Sequence, residues 1–279
     1  MRWEGNRESN NVEDRRGQRM IPGGAGGLGL GAMLLILLFS VITGKDPRML
    51  LSLLSQVQEA VPQQQEETKT GPVQDKLGKF ASVVLGDTET TWGEIFQASG
   101  QRYETPHMVL FSGAVRSACG TASSAVGPFY CPADHKVYLD LSFFDELARR
   151  FGAPGDFAQA YVIAHEVGHH VQNLLGIQDQ MSAAQQRATS DAQVNALSVR
   201  LELQADCLAG VWAKHTKIEL EPGDVEEGLK AAAAIGDDRL QKLGQGEVQP
   251  ESWTHGSSEQ RVSALRRGVS TGDVNACKT

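Results

Sequence analysis

Two histidines and a glutamate stand at the spacing of a zinc site on a helix. His165 and His169 are four residues apart, and Glu166 directly follows the first of them. Residues four apart on an α-helix share one face, so both imidazoles can reach one metal ion. Zinc lowers the pKa of a water to around 7, and a neighbouring carboxylate can pass its proton to a leaving amine. The pattern therefore predicts a zinc site with Glu166 as general base.

The residues around this motif favour a buried helix. All of the following are uncharged: Val162, Ile163, Ala164, Val167, Gly168 and Val171. A buried helix that presents two histidines and a glutamate on one face needs a partner for them, and a metal ion fits that role. The alternative is a helix whose two core histidines are satisfied by hydrogen bonds alone.

A catalytic zinc site also needs a third protein ligand and one open position. A third histidine six residues after the second is absent, because Leu175 stands there. Glu202 can supply the ligand, and Asp206, one turn later on the same helical face, can accept the free ring N–H of a ligand histidine. The alternative is an ordinary charged helix face. Apolar neighbours of the two acids disfavour it: Leu201, Leu203, Ala205, Cys207, Leu208 and Ala209.

Two helices must position these groups. Asp156 is the predicted cap of a helix that carries the motif and ends at Gly176. A second, long helix is predicted over residues 191–215, and it carries Glu202 and Asp206. The sequence thus predicts a metal site between two helices.

Strands are predicted at residues 107–111 and 137–141. The second alternates in polarity and precedes the metal helix by one helix. We therefore expect it to edge the cleft, where a substrate peptide would add to it in extended form. Before the strands, helical spacing over residues 77–85 and a capping box at Thr91 predict two separate helices.

Length and charge narrow the class of protein. The chain has 279 residues and a net charge of −8, so a nucleic-acid-binding surface is not expected. It is long enough for one globular domain with further segments.

The N-terminal part has a different composition. Residues 1–19 are polar and predict a flexible cytoplasmic tail, and residues 20–44 carry no charge and are long enough for one transmembrane helix. Residues 45–72 are predicted as a linker and residues 73–279 as the folded domain. The alternatives for the apolar stretch are a buried soluble helix or a cleaved signal peptide, but an uncleaved signal anchor fits best.

Charge asymmetry predicts the orientation of this span. Five arginines precede it and two basic residues follow closely, namely Arg2, Arg7, Arg15, Arg16, Arg19, Lys45 and Arg48. The positive-inside rule therefore predicts a cytoplasmic N-terminus and a C-terminal domain outside the cytoplasm.

The four cysteines are interpreted as two disulfides. No Cys-x-x-Cys occurs, so zinc is not expected to use them. In an oxidising compartment Cys119 and Cys131 can close a short loop, and Cys207 and Cys277 can tie the C-terminal tail to the predicted ligand helix. The alternative is a cytoplasmic domain with four free thiols.

Three motifs of the sequence resemble those of a known class of peptidases. His-Glu-Val-Gly-His, Glu202-Leu-Gln-Ala-Asp206 and the later Thr254-His255-Gly-Ser-Ser-Glu-Gln-Arg261 are similar to the gluzincin peptidases, such as the bacterial HtpX heat-shock protease and the CAAX prenyl protease. Over nearly the whole chain the sequence resembles the bacterial neutral zinc metallopeptidase family. The matching stretches include residues 127–132 and 137–140.

The resemblance implies roles for particular residues. His165, His169 and Glu202 would bind zinc, Glu166 would be the general base, and His255 would hydrogen-bond the oxyanion. One position departs from the protease pattern, because Gly256 stands where proline follows that histidine. A solvent-facing loop histidine is the alternative for His255.

Together these observations predict an α+β fold, mainly helical, with a zincin-like domain and a small sheet behind one transmembrane helix. The predicted function is a zinc-dependent endopeptidase of the bacterial inner membrane, with its domain in the periplasm and peptides or proteins as substrates. The alternative function is a non-catalytic zincin-fold membrane protein that binds partners or assists envelope assembly.

Overall fold

A computed structural model describes residues 1–18, 69–70, 73–244 and 246–278. The predicted span at residues 20–44 and nearly all of the predicted linker lie outside this described part. Within the described residues, no helix is long and apolar enough to cross a membrane.

The described residues form a mainly helical α+β fold, as predicted, with two small sheets in place of the single predicted sheet. The helices are α1 (Lys76–Ala98), α2 (Ser142–Arg149), α3 (Asp156–Leu174), α4 (Ile177–Gln186), α5 (Asp191–His215), α6 (Asp224–Ala234), α7 (Asp237–Gly244) and α8 (Ser258–Thr271). The strands are β1 (Val12–Asp14), β2 (Lys69–Thr70), β3 (His107–Phe111), β4 (Ala114–Ser117), β5 (Gly120–Ser123), β6 (Phe129–Cys131) and β7 (Lys136–Asp140).

The larger sheet has the strand order β2-β1-β3-β7-β6, and β4 pairs with β5 in a separate hairpin. The strands β1, β3 and β7 are parallel, whereas β6 runs antiparallel to β7. The predicted strand at residues 137–141 therefore exists as β7 but is interior to the sheet. Its predicted position at the edge is wrong, because the short strand β6 covers that side and is itself the edge strand.

The N-terminal residues are folded, so the predicted flexible tail is wrong. Val12 is buried in the main core, and β1 pairs in parallel with β3. Arg7 and Ser9 both hydrogen-bond Glu89 of α1. The segment is held by polar contacts and by a strand of only three residues, which is too short to show a hydrophobic period.

The position of the N-terminal residues in the fold affects the predicted membrane topology. Residues 1–17 and 69–279 form one compact unit. A single crossing of a bilayer between them would put the two parts on opposite sides. The predicted arrangement, with a cytoplasmic N-terminus and an external domain, is therefore incompatible with the pairing of β1 and β3.

The two predicted helices at the start of the domain are one continuous helix, α1. Gly86 lies near the middle of this helix. In the structure, a Cβ built on Gly86 would lie 2.8 Å from the carbonyl oxygen of Arg7. The glycine allows the N-terminal segment to cross the helix at close range.

Both predicted disulfides are present. Cys119, in the turn between β4 and β5, is bonded to Cys131 of β6, and Cys207 of α5 is bonded to Cys277. Cys277 ends a short 3-10 turn (Val274–Cys277) and is fully buried. The second disulfide therefore attaches the C-terminal turn to the helix that carries Glu202.

Candidate metal centre

The structure brings His165, His169 and Glu202 together where α3 crosses α5. One ligand atom from each lies within 4.8 Å of the others. The Nε2 atoms of His165 and His169 lie 3.2 and 3.4 Å from the carboxylate oxygens of Glu202. The helical period placed the two histidines on one face, and the approach of α5 supplies the carboxylate.

Hydrogen bonds on the other ring nitrogens define the form of both histidines. Nδ1 of His165 lies 2.9 Å from Oδ1 of Asp206, and Nδ1 of His169 lies 2.9 Å from Oε1 of Gln172. Carboxylate and amide oxygens only accept, so both Nδ1 atoms carry the proton. In the neutral imidazoles, each Nε2 then directs a lone pair toward Glu202.

The carboxylate of Glu202 is balanced either by protons on the two facing Nε2 atoms or by a metal ion bound by the lone pairs of the neutral imidazoles. Two neutral histidines and one carboxylate are also the ligand set of several catalytic zinc sites. The donor set and its hydrogen-bonded nitrogens therefore fit a zinc ion.

The electrostatics of the cluster agree with a cation at this point. Burial alone disfavours a charged imidazole, but Asp206 and Glu202 outweigh it and raise the pKa of His165 to about 10. Burial likewise opposes a charged Glu202, but the two histidines hold the pKa of this carboxyl well below its usual range. The site is thus built to hold positive charge next to an ionised Glu202.

Asp206 is the centre of a buried polar network. It accepts hydrogen bonds from His165, from the hydroxyl of Tyr161 at 2.5 Å and from Nε and Nη2 of Arg261 at 2.8 and 3.0 Å. Asp206 and Arg261 are 0% and 2% exposed. Burial raises the pKa of Asp206, but Arg261 and His165 prevail and lower it to about 2. The carboxylate is therefore ionised and holds His165 in one orientation.

Glu166 differs from the other buried acids of the site. Its side chain lines the cavity beside the two histidines and is only 7% exposed. Among the described residues it has no hydrogen-bond or ion-pair partner, whereas Glu202 and Asp206 are both paired. A buried carboxylate without a protein partner is available to a molecule in the cavity.

The cavity over the cluster has a volume of about 530 Å³. One wall comes from β6 and the residues before it, including Gly127, Pro128, Phe129 and Tyr130. Apolar side chains on other sides are Phe143, Phe151, Val162, Ile235 and Leu240. A cleft of this size, with an apolar lining and a few convergent polar groups, is typical of a small-molecule or peptide site.

His255 also lines this cavity, and its side chain is half exposed. Its Nδ1 lies 3.0 Å from Oγ1 of Thr254 and 3.3 Å from Oδ1 of Asp237. Asp237 also accepts backbone N–H bonds from Thr254, His255 and Gly256, which fixes the loop.

Gly256 has a φ of +89°. Proline cannot adopt this conformation, so the glycine that departs from the protease pattern gives the loop its own shape.

His170 belongs to a different environment. It is fully buried, its Nδ1 meets the hydroxyl of Tyr130 at 3.0 Å and its Nε2 meets the carbonyl of Glu104 at 2.6 Å. Burial lowers its pKa to about 4. It supports the wall of the cleft and is not part of the metal cluster.

Sequence reasoning missed three residues of the site: Tyr161, Gln172 and Arg261. Arg261 stood within the third motif but had no assigned role. Gln172 follows His169 by three residues, a spacing at which helical side chains meet, so this signal was present.

The whole chain, residues 1–279, matches the model of a family described as "Putative neutral zinc metallopeptidase", and the chain belongs to that family. It is 50% identical over 291 aligned positions to the "Uncharacterized protein YpfJ" of Escherichia coli, covering 100% of this chain and 98% of that protein. It is 44% identical over 227 positions to the "Uncharacterized protein Mb2605" of Mycobacterium bovis, covering 76% of this chain and 74% of that protein. No solved structure matches the chain.

Proposed function

We propose that the protein is a zinc-dependent endopeptidase of the gluzincin type. The observation that carries this proposal is the combination of a convergent His165, His169 and Glu202 set with an unpartnered Glu166 beside it. Membership of the zinc metallopeptidase family supports the same reaction class.

In this proposal His165, His169 and Glu202 hold the zinc ion, and Asp206 and Gln172 fix the two imidazoles. Zinc supplies Lewis acidity, which lowers the pKa of a water and polarises the scissile carbonyl. Glu166 takes a proton from the attacking water and delivers it to the leaving amine nitrogen. The position of this carboxylate on the cavity side of the helix suits both transfers.

His255 is the proposed oxyanion donor. Its Nδ1 faces Thr254 and Asp237, so its Nε2 is the ring nitrogen left for a ligand in the cavity. Because Nδ1 faces the carboxylate of Asp237, an N–H on Nε2 belongs to the imidazolium form of His255. In that form, Nε2 can stabilise negative charge that develops on the scissile carbonyl oxygen.

The proposed substrate is an extended peptide that lies along β6. This strand ends the sheet, and among the described residues no strand pairs with its outer side. Residues of β6 line the cavity that contains Glu166. Pairing along a strand edge uses main-chain groups, so it favours broad sequence tolerance.

The second candidate function is a zincin-shaped protein that binds partners without turnover. A purely structural metal site would not need the Glu166 carboxylate, which lines the cavity beside the two histidines. This residue therefore favours the enzyme.

We also propose that the folded unit lies outside the cytoplasm, attached to the bacterial inner membrane through the apolar stretch 20–44. Two disulfides support an oxidising compartment. Because β1 pairs with β3, residues 1–17 would lie on the same side as the rest of the unit.

The test of the function uses the purified full-length protein. We expect about one zinc ion per chain and hydrolysis of casein or a peptide library. A chelator should stop this hydrolysis, and added zinc should restore it. Zinc binding without any hydrolysis would favour the partner-binding alternative, and absence of zinc binding would contradict the proposed site.

A further inference from the structure

The second predicted metal ligand, His169, is held by a side chain of its own helix. Its Nδ1 donates to Oε1 of Gln172 at 2.9 Å, and Gln172 is fully buried. This contact holds the imidazole of His169 in one orientation, as Asp206 holds the imidazole of His165. The difference is that Gln172 is neutral and depends on other contacts to fix the direction of its amide.

Those contacts lie on the neighbouring helix. Nε2 of Gln172 donates to the carbonyl oxygen of Leu201 at 2.7 Å and to Oε1 of Gln204 at 3.0 Å. Both amide protons are therefore in use, and rotation of the amide by 180° would lose all three bonds. Leu201 directly precedes Glu202, so Gln172 joins the two helices beside the third ligand.

The network continues to the C-terminal turn. Nε2 of Gln204 donates to the carbonyl oxygen of Cys277 at 3.2 Å. The disulfide to Cys207 holds Cys277 against α5, although 70 residues separate the two cysteines in sequence. A buried chain of contacts thus runs from His169 through Gln172 and Gln204 to this disulfide.

We propose that Gln172 is a positioning residue for His169, and that the Cys207–Cys277 disulfide stabilises the metal centre through Gln204. The proposal rests on the proposed function, because it requires a metal at His169. A merely structural role would lower the stability of the fold but leave the zinc affinity of the folded protein unchanged.

The first experiment measures zinc affinity of the full-length protein by competition with a chromogenic chelator. Gln172→Leu keeps the approximate size of the side chain and removes every hydrogen bond. We expect roughly 10–100-fold weaker zinc binding, as for other losses of a partner that orients a ligand. Gln172→Glu restores an acceptor for Nδ1 and should bind zinc more tightly than Gln172→Leu.

The second experiment addresses the disulfide. The double variant Cys207→Ser/Cys277→Ser should bind zinc measurably more weakly than the parent, but less weakly than Gln172→Leu. The variant Gln204→Met should show the same intermediate zinc affinity. The matched control is Cys119→Ser/Cys131→Ser, which removes the other disulfide. Ser82→Ala is a second control, because it deletes a buried hydrogen bond to the carbonyl of Ser9. Both controls should lower the unfolding temperature of the metal-free protein without changing zinc affinity.

The outcomes separate the two proposals. If the parent protein binds no zinc, the proposed function fails. If the parent binds zinc and Gln172→Leu binds it equally well, the positioning role is overturned. Equal zinc affinity of the parent, Gln204→Met and the Cys207→Ser/Cys277→Ser variant would overturn the role of the disulfide. If Gln172→Leu does not fold, Gln172→Glu and Gln204→Met carry the test of Gln172 and its network.

Discussion

Gly168 lies directly against the backbone of Ala205. A Cβ built on this glycine would lie 2.9 Å from the carbonyl oxygen of Ala205 and 3.2 Å from its Cα. Gly168 stands between Glu166 and the ligand His169, and Ala205 precedes Asp206. The close contact therefore sets the distance at which the histidines of α3 meet the acids of α5.

The first prediction concerns this contact. Gly168→Ala should push the two helices apart, destabilise the protein by about 1–3 kcal/mol and weaken zinc binding. Zinc affinity and the unfolding midpoint in denaturant would be measured. The control is Gly93→Ala in α1, where no heavy atom lies within 4 Å of the added Cβ. That change should be neutral or stabilise by up to ~1 kcal/mol. Identical zinc binding by Gly168→Ala and the parent would show that the helix distance does not control the site.

The second prediction contrasts the two acids of α5. Glu202→Gln removes a predicted ligand and should lose most zinc affinity while the fold remains. Asp206→Asn leaves the ligand set intact but loosens His165, which should cost roughly 10–100-fold in zinc affinity. It also leaves the buried Arg261 without its counter-ion, which should cost about 3–5 kcal/mol of stability.

Zinc affinity and unfolding midpoints of both variants check this contrast. The exposed Asp145→Asn serves as the matched control for the change of charge. If Glu202→Gln binds zinc as tightly as the parent, the third ligand lies elsewhere. If Asp206→Asn is as stable as the parent, Arg261 does not depend on this carboxylate.

The third prediction concerns substrate pairing along β6. Replacing single peptide amides of a good substrate by esters removes one N–H donor at a time. Because strand residues alternate in direction, the value of kcat/KM should fall at every second position, by roughly 3- to 10-fold for each lost bond. An ester far from the cleaved bond is the control. An equal decrease in kcat/KM at every position of the peptide would argue against strand pairing.

The convergence of His165, His169 and Glu202 was predictable because the signals that mark these residues are local. His165 and His169 follow the helical period, and Glu202 and Asp206 follow it on a helix whose predicted bounds, residues 191–215, match α5. Each of these patterns lies within one element, so no knowledge of packing was needed to see it.

Long-range pairing was not predictable in the same way. The strand β1 has three residues, and β6 also has three, so neither shows a hydrophobic alternation. The place of β1 in the sheet depends on β3, which lies far away in sequence, since Val12 pairs with Met108. The strand β6 pairs with β7 across a short turn, so only its short length hid it. Gln172 was missed although its spacing from His169 was a signal, because an amide has no charge and belongs to no motif. Its other hydrogen bonds lie on the neighbouring helix.

The fourth prediction concerns the side of the membrane on which the folded unit lies. Asn10→Cys and Asp145→Cys each add one exposed thiol to a chain whose described cysteines are all in disulfides. A membrane-impermeant maleimide added to intact spheroplasts should label both variants equally, since both residues belong to one folded unit. Labelling of Asp145→Cys alone would contradict the pairing of β1 with β3. Labelling of neither before lysis would contradict the extracytoplasmic location.

The fifth prediction addresses the central claim, that the buried and unpartnered Glu166 makes this metal centre catalytic. Glu166→Gln keeps the shape of the side chain but cannot accept the proton of the attacking water. Zinc content and peptide hydrolysis of the full-length variant would be measured beside the parent under the same conditions. We predict unchanged zinc content with hydrolysis reduced at least 100-fold, the lower range for loss of a general base. Undiminished turnover by Glu166→Gln would contradict the account.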